Sequence, residues 1–463
     1  MAFDEISGSF AALNIQDNTE TQRQLPFFWG PFHANREQVS PDVPAFLFRV
    51  CYPGSSGMLS GNWILSQDAA QLDTKLGSQT SMNSRPAAEV ADALNRHLWW
   101  LPKSLGHSNF VSWTSSFLFA LKLVILLQHY RNLSLEQVHI VIISTTQFSE
   151  LVFVRDAYLI DRYTKSLKED AISYKDGYQK SLKTLWGMRQ MGYYFGEFLS
   201  QGALCIEGKS SVVCAAELAR RGIFELHPEL LEDPTQWSQW VRRKRQQWDR
   251  EYAKFHSSQG KQLSDLLAPV SRDFQLPMAV SLLSLQARDP ADLELLIFLA
   301  QFTEHIDLTT LKHNGDLIWK RRRSLSYKSP YDSLDQTMPE LQQSLTLVKN
   351  VAFLLDAKKD FLFLVSRLEN IVKAISKVCA TTKQGMEKLI LSKSYLRLAN
   401  SVVIDIERFT RKLLLAVDGQ SYTTFFLMTN GSALERLERL KQDSKLSRIQ
   451  LSKYIRWESS APT

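Results

Sequence analysis

The chain predicts a mixed α+β domain followed by an all-helical one, with the change near residues 230–240. Three observations carry this. At 463 residues it exceeds one ordinary core, so two domains are expected. Its first half holds short β-branched runs such as VHIVIIST (138–145), which favour strands. Its second half keeps apolar residues three and four apart over long windows, as in Leu341, Leu345, Val348, Ala352 and Leu355, the spacing of a helix face. No fixed-period repeat supports a solenoid. The expected division is a tail over 1–24, an α+β domain over 25–235 and a helical domain over 236–463.

The elements follow in order. Residues 1–24 are polar and acidic and read as a mobile tail with no signal peptide. AFLFRVCYP (45–53) reads as a strand closed by Pro53 and the turn residues GSSG. Residues 66–83 read as a polar loop. RPAAEVADALNRHLWWL (85–101) has helical spacing. FVSW leads into SFLFALKLVILLQHY, a buried helix capped by Ser115 or Ser116. VHIVIIST is the strongest strand, and SELVFVRDAYLI and GALCIEG are shorter candidates. ELARRGIFELHPELLEDP reads as a helix stopped at Gly222, then an extended piece running to Pro228. From DPTQWSQW onward nearly everything reads as helix, with three or more helices bundled over 335–457.

Composition narrows the function classes. The most membrane-like runs, FLFALKLVILL and LELLIFLAQF, fall short of the roughly 20 apolar residues of a span, so a soluble protein of the cytoplasm or nucleus is expected. Four scattered cysteines form no CxxC pair, and the nine histidines form no HExxH, which leaves no metal site to propose. No GxGxxG, Walker or GxSxG signature is present. The net charge is +7, although residues 1–100 carry only six Lys/Arg against ten Asp/Glu; the positive excess lies later. Two runs, VRRKRQQWDREYAK (241–254) and WKRRRSLSYK (319–328), set bases beside tryptophans. A solvated helix face explains the first. The second reads as a loop and is the better candidate for nuclear import or phosphate contact.

Four pieces of the first half stand in a suggestive order: FLFRV with Arg49, VSWTSS with Ser112 to Ser116, GEFLSQGAL with Glu197, and GIFELHPEL. Over about residues 25–230 the set resembles an uncharacterised domain family of fungal proteins. That order is in turn similar to the Arg–Ser–Glu pattern of ADP-ribosyltransferases, in which a strand arginine, a serine strand and a later glutamate share one NAD cleft. The resemblance implies an ADP-ribosyltransferase-like fold, with NAD as substrate. Glu197 and Ser112 would be the catalytic pair, the carboxylate stabilising an oxocarbenium-like state. Arg49, Thr114 and Ser115 would bind the dinucleotide, Arg49 gripping its pyrophosphate. Phe195 stands where arginine-modifying enzymes of this type carry a second acid or amide, so the resemblance does not extend to arginine as acceptor; separately, Trp113 interrupts a strict Ser-Thr-Ser. Strand alternation should turn Trp113 away from Ser112 and Thr114.

Each residue also has a plainer reading. Arg49 could pair with a carboxylate at a strand end, Ser115 and Ser116 could simply cap a helix, and Glu197 could be an exposed carboxylate. A site that binds NAD without turnover stays open. So does a non-catalytic interaction scaffold whose helical half binds a protein partner, and so, on the basic runs alone, does a nucleic-acid-associated factor. The expected geometry is that Phe46–Val50, Val111–Thr114 and Val138–Ser144 are strands of neighbouring sheets, with Arg49, Ser112 and Glu197 converging on one cleft.

Overall fold

The computed structural model describes residues 26–27, 43–55, 57–71, 81–101, 108–149, 151–166, 180–248, 252–290, 292–303, 334, 336–380, 397, 401 and 404. The expected tail, the second basic run and most of the region beyond 380 lie outside these residues.

Among the described residues the chain forms nine strands, β1 (Phe46–Cys51), β2 (Gly57–Ser60), β3 (Trp63–Ser66), β4 (Phe110–Thr114), β5 (His139–Ser144), β6 (Val154–Arg155), β7 (Glu197–Gln201), β8 (Ala203–Cys205) and β9 (Ser210–Cys214). Six of them build an antiparallel sheet in the order β6-β7-β4-β1-β5-β9, and a smaller sheet runs β2-β3-β8. The three strands expected to frame a cleft are therefore neighbours in one sheet rather than members of two. The seam between β1 and β4 is thin. β1 and β5 pair along six positions from Phe46↔Ser144 to Cys51↔His139, and β4 pairs β7 along five, but β1 meets β4 only at Phe48↔Thr114.

Period-two alternation gives the large sheet two unlike faces. Leu47, Cys51, Val111, Trp113, Val141, Ile143 and Phe198 pack with Ile64 and Leu204 of the small sheet. Phe48, Val50, Ile140 and Ile142 face helices, and Phe110 and Leu199 do so farther along.

The helices are α1 (Gln67–Gln71), α2 (Ala87–Leu98), α3 (Phe117–Arg131), α4 (Asp156–Tyr163), α5 (Leu182–Gln190), α6 (Ala215–Arg220), α7 (Ile223–Leu226), α8 (Trp237–Gln246), α9 (Ser257–Leu267), α10 (Gln275–Leu283), α11 (Leu293–Ala300) and α12 (Pro339–Ala380). α3 is the buried helix the sequence predicts. It starts because Ser116 Oγ accepts the Phe119 N–H, and it ends at Asn132 in the left-handed region (φ 52°). Its one charged core residue, Lys122, is tolerated because Nζ donates to the Leu230 carbonyl at 2.9 Å and lies 4.3 Å from the Trp240 ring centre. Burial nevertheless pulls its pKa down to about 8.

Several expectations need correction. The polar loop begins with α1, and residues 72–80 lie outside the described set. Within SELVFVRDAYLI, Val154 and Arg155 form a strand, and from Asp156 onward the segment is α4. After Gly222 (φ 91°) the chain does not extend; it makes α7 and a 3-10 turn over Pro228–Leu231. Beside these corrections, residues on both sides of 235 meet in the core. Phe48, Ile142, Leu118, Leu263, Met278, Leu295 and Leu347 share one buried cluster. Of the bundle expected over 335–457, the structure describes α12, whose first turns pack on α10 and α11. No helix among the described residues is long and apolar enough to cross a membrane.

Candidate functional site

The structure brings Ser112 and Glu197 into direct contact. They sit on adjacent strands, in the register Ser112↔Leu199 and Thr114↔Glu197, so both belong to the rows facing the helices. Ser112 Oγ donates to Glu197 Oε1 at 2.8 Å. The carboxylate is far from exposed: its side chain keeps 16% of its accessible surface. Arg189 of α5 donates to Glu197 Oε2 at 2.8 Å and, through Nε, to Asp156 Oδ2 of α4 at 3.0 Å. One guanidinium therefore serves two carboxylates. Burial pushes Glu197 up to about 7, against the pull of Arg189, and the Asp156 charge adds to the rise. Asp156 is raised as well, again mainly by burial.

On the other side of Ser112 stands His97 of α2, with Nε2 2.8 Å from Ser112 Oγ and Nδ1 3.1 Å from Ser108 Oγ. Burial, and then the Arg49 charge, drive this imidazole down to about 3, so it is neutral at physiological pH. With Ser112 donating to Glu197, the consistent assignment protonates Nε2, which donates to Ser112 Oγ, while Nδ1 accepts from Ser108. Ser108 Oγ in turn accepts the Phe110 N–H at 3.1 Å. Every donor of this chain points toward Glu197.

Arg49 is near but is placed differently from the expectation. The register Phe48↔Thr114 puts Arg49 in the Trp113 row, which faces the small sheet, and not in the Ser112 row. Its guanidinium lies at the thin β1–β4 seam, where Nη1 donates to the Ser112 carbonyl and Nη2 to the Gly57 carbonyl at 3.0 Å. It is 5% exposed. Gly57 permits that approach, since a Cβ there would come within 2.2 Å of Nη2. The three residues thus converge through Ser112, with its hydroxyl toward Glu197 and its carbonyl toward Arg49. Among the described residues Arg49 pairs with no carboxylate, and its two terminal nitrogens donate to main-chain carbonyls.

Thr114 and Ser115, expected to bind a cofactor, face inward. Thr114 Oγ1 donates to the Phe195 carbonyl at 2.5 Å and accepts the Ser116 N–H at 3.0 Å. Ser115 N–H donates to the Gly196 carbonyl at 2.9 Å, and its side chain is buried. Both hold the strand that presents Glu197. Ser116, not Ser115, is the cap of α3. Trp113 points away from Ser112, as alternation requires, and Nε1 donates to Ser200 Oγ at 2.9 Å.

His97, Ser108, Asp156 and Arg189 were not visible as site residues in the sequence. His97 sits in an ordinary amphipathic helix, and Arg189 and Asp156 meet across 33 positions. The first basic run is also explained. Arg243 pairs with Asp233 at 2.6 Å, Lys244 with Glu229 at 3.2 Å and Arg245 with Glu340, while Arg242 lies 5.2 Å from the Tyr193 ring. Arg242, Arg243, Lys244 and Arg245 of that run each have a partner within the fold.

Residues 42–185 match the model of a family described as a domain of unknown function (DUF7587). The match contains Arg49, His97, Ser112 and Asp156, while Arg189 and Glu197 follow it. No curated protein matches the chain, and no solved structure does.

Proposed function

We propose that the sheet-bearing half is a divergent ADP-ribosyltransferase-like domain with an NAD-type site at Ser112 and Glu197. One observation carries the reading: the 2.8 Å hydrogen bond that aims the Glu197 carboxylate from the neighbouring strand. A carboxylate so held can hydrogen-bond a ribose hydroxyl and stabilise positive charge developing at the anomeric carbon. Its partners are all donors, which keeps both oxygens oriented. In this reading Ser112 orients Glu197, and His97 orients Ser112. Arg49 would meet the pyrophosphate only by releasing the Gly57 carbonyl, and Phe195 leaves arginine a poor acceptor.

A second reading is favoured by a different observation. Both terminal nitrogens of Arg49 are engaged by main-chain carbonyls, and Glu197 is already paired with Arg189. Groups so occupied can serve architecture alone, in a protein whose helical half binds a protein partner.

The test is a calorimetric titration of the full chain with NAD, beside an assay of nicotinamide release. On the first reading wild type binds and cleaves NAD. Glu197→Gln then loses cleavage while binding within a few-fold, because the lost charge matters most in the cationic transition state. Arg49→Ala weakens binding. Wild-type protein that neither binds nor cleaves NAD selects the scaffold.

A further inference from the structure

The segment that delivers Glu197 is held one carbonyl at a time. Tyr193 O accepts from Arg189 Nη1 at 2.9 Å, Tyr194 O from Arg245 Nη1 at 2.5 Å, Phe195 O from Thr114 Oγ1 at 2.5 Å and Gly196 O from the Ser115 N–H at 2.9 Å. Four consecutive carbonyls are thereby fixed by donors from α5, α8 and the β4–α3 junction. Gly196 (φ 70°) makes the last turn possible, since a Cβ there would come within 2.1 Å of Ser115 Oγ.

One of these donors depends on a residue much later in the chain. Arg245 is held by Glu340 in the first turn of α12, with Nη2 2.5 Å from Oε1 and Nε 3.1 and 3.2 Å from the two oxygens. The pair is dry, with side chains 4% and 5% exposed. Glu340 Oε1 also accepts from Ser116 Oγ at 2.7 Å, and the Arg245 guanidinium lies 5.6 Å from the Phe195 ring centre. Met338, just before α12, stands 3.2 Å from where a Gly196 Cβ would be. A guanidinium in the interior needs such a counter-charge, and its fork fixes direction as well as distance. Without Glu340, the Arg245 guanidinium against Tyr194 would lose its counter-charge.

We infer that Arg245 and Glu340 are positioning residues for Glu197, so that the start of α12 sets the geometry of a site built on the sheet more than 140 residues earlier. The inference rests on the reading of Glu197 as the site's carboxylate, but its test needs no NAD.

The experiment follows the titration of Glu197 by NMR in full-length protein carrying carboxyl-labelled glutamate, with the signal assigned through Glu197→Gln. The groups that set this titration are Arg189, Asp156, Ser112 and, through Ser112, His97; all stay in place in the variants. Two variants are compared with wild type. Glu340→Gln keeps the side-chain shape and removes the counter-charge. Arg245→Met with Glu340→Met removes the pair together and leaves no lone buried charge, a replacement that folds tend to accept. In the double variant the Tyr194 carbonyl loses its donor, the segment loosens and water reaches Glu197. The expected result is a midpoint lower by more than about 0.5 pH unit, toward the ordinary carboxylate range. A folded double variant with the wild-type midpoint overturns the inference. If Glu340→Gln does not fold, the double variant decides alone. Failure of wild type to use NAD would sink the proposed activity and leave this result untouched.

Discussion

Two buried arginines invite comparison. Arg245 faces one carboxylate, Glu340, and the pair is balanced and dry. Arg189 is shared between two, Asp156 and Glu197, with the Arg155 charge acting on Asp156 as well. A balanced pair sets direction and position. A shared guanidinium leaves burial to raise both carboxyls, and of the two Glu197 keeps some contact with solvent. On the proposed reading, the difference separates a structural node from a site.

The largest expected effect comes from unbalancing the balanced node. Glu340→Ala leaves Arg245 buried without a counter-charge and should cost about 3–5 kcal/mol in urea unfolding. That cost should not vary with pH near neutrality, because arginine keeps its charge. Arg189→Met should cost a similar amount near pH 8. Here the cost should shrink as pH falls, since Asp156 and Glu197 can take up protons instead of repelling each other. Equal pH dependence in the two variants would erase the distinction.

Glu197→Gln sharpens the comparison. The native carboxyl titrates near 7 against an ordinary value of 4.5. Between those values the folded state holds a proton that the unfolded chain has released, so this group's contribution to stability falls as pH rises through the window. The melting temperature of the Gln variant should therefore decline less than that of wild type from about pH 4.5 to 7. A parallel decline would remove the titration from Glu197. Gln also places an N–H₂ against one of two donors. The Ser108–His97–Ser112 chain can relieve this by reversing its direction, with the imidazole proton moving from Nε2 to Nδ1.

The smallest effect belongs to Ser112→Ala, about 0.5–1.5 kcal/mol by unfolding, the net worth of one hydrogen bond. Its larger consequence would be in the Glu197 midpoint. Losing the Ser112 donor should raise that midpoint further, because the bond favours the ionised form.

The sequence made some of this legible. β1, β4 and β5 show as apolar runs bounded by hydroxyls or proline, and α3 as a long apolar helix behind serines. β2 and β3 did not show, since GMLS and WILS are four-residue pieces between turn residues, too short for alternation to register. The Ser112–Glu197 pairing was visible only through the resemblance that the motif order carries. The placement of Arg49 was inferable in part: Trp113 was expected opposite Ser112, but which of them shared a row with Arg49 depended on the register Phe48↔Thr114. His97, Arg189 and Glu340 owe their roles to contacts across tertiary distance, and nothing local marks a helix histidine or a first-turn glutamate for them.

The four anchored carbonyls of Tyr193–Gly196 also have an entropic meaning. Fixing the backbone of one residue costs about 1–2 kcal/mol. For this segment that cost is met when the protein folds, together with the core that α3, α8 and α12 share. A molecule arriving at Glu197 would find the carboxylate already immobilised, and its affinity would not be reduced by the ordering of a loop.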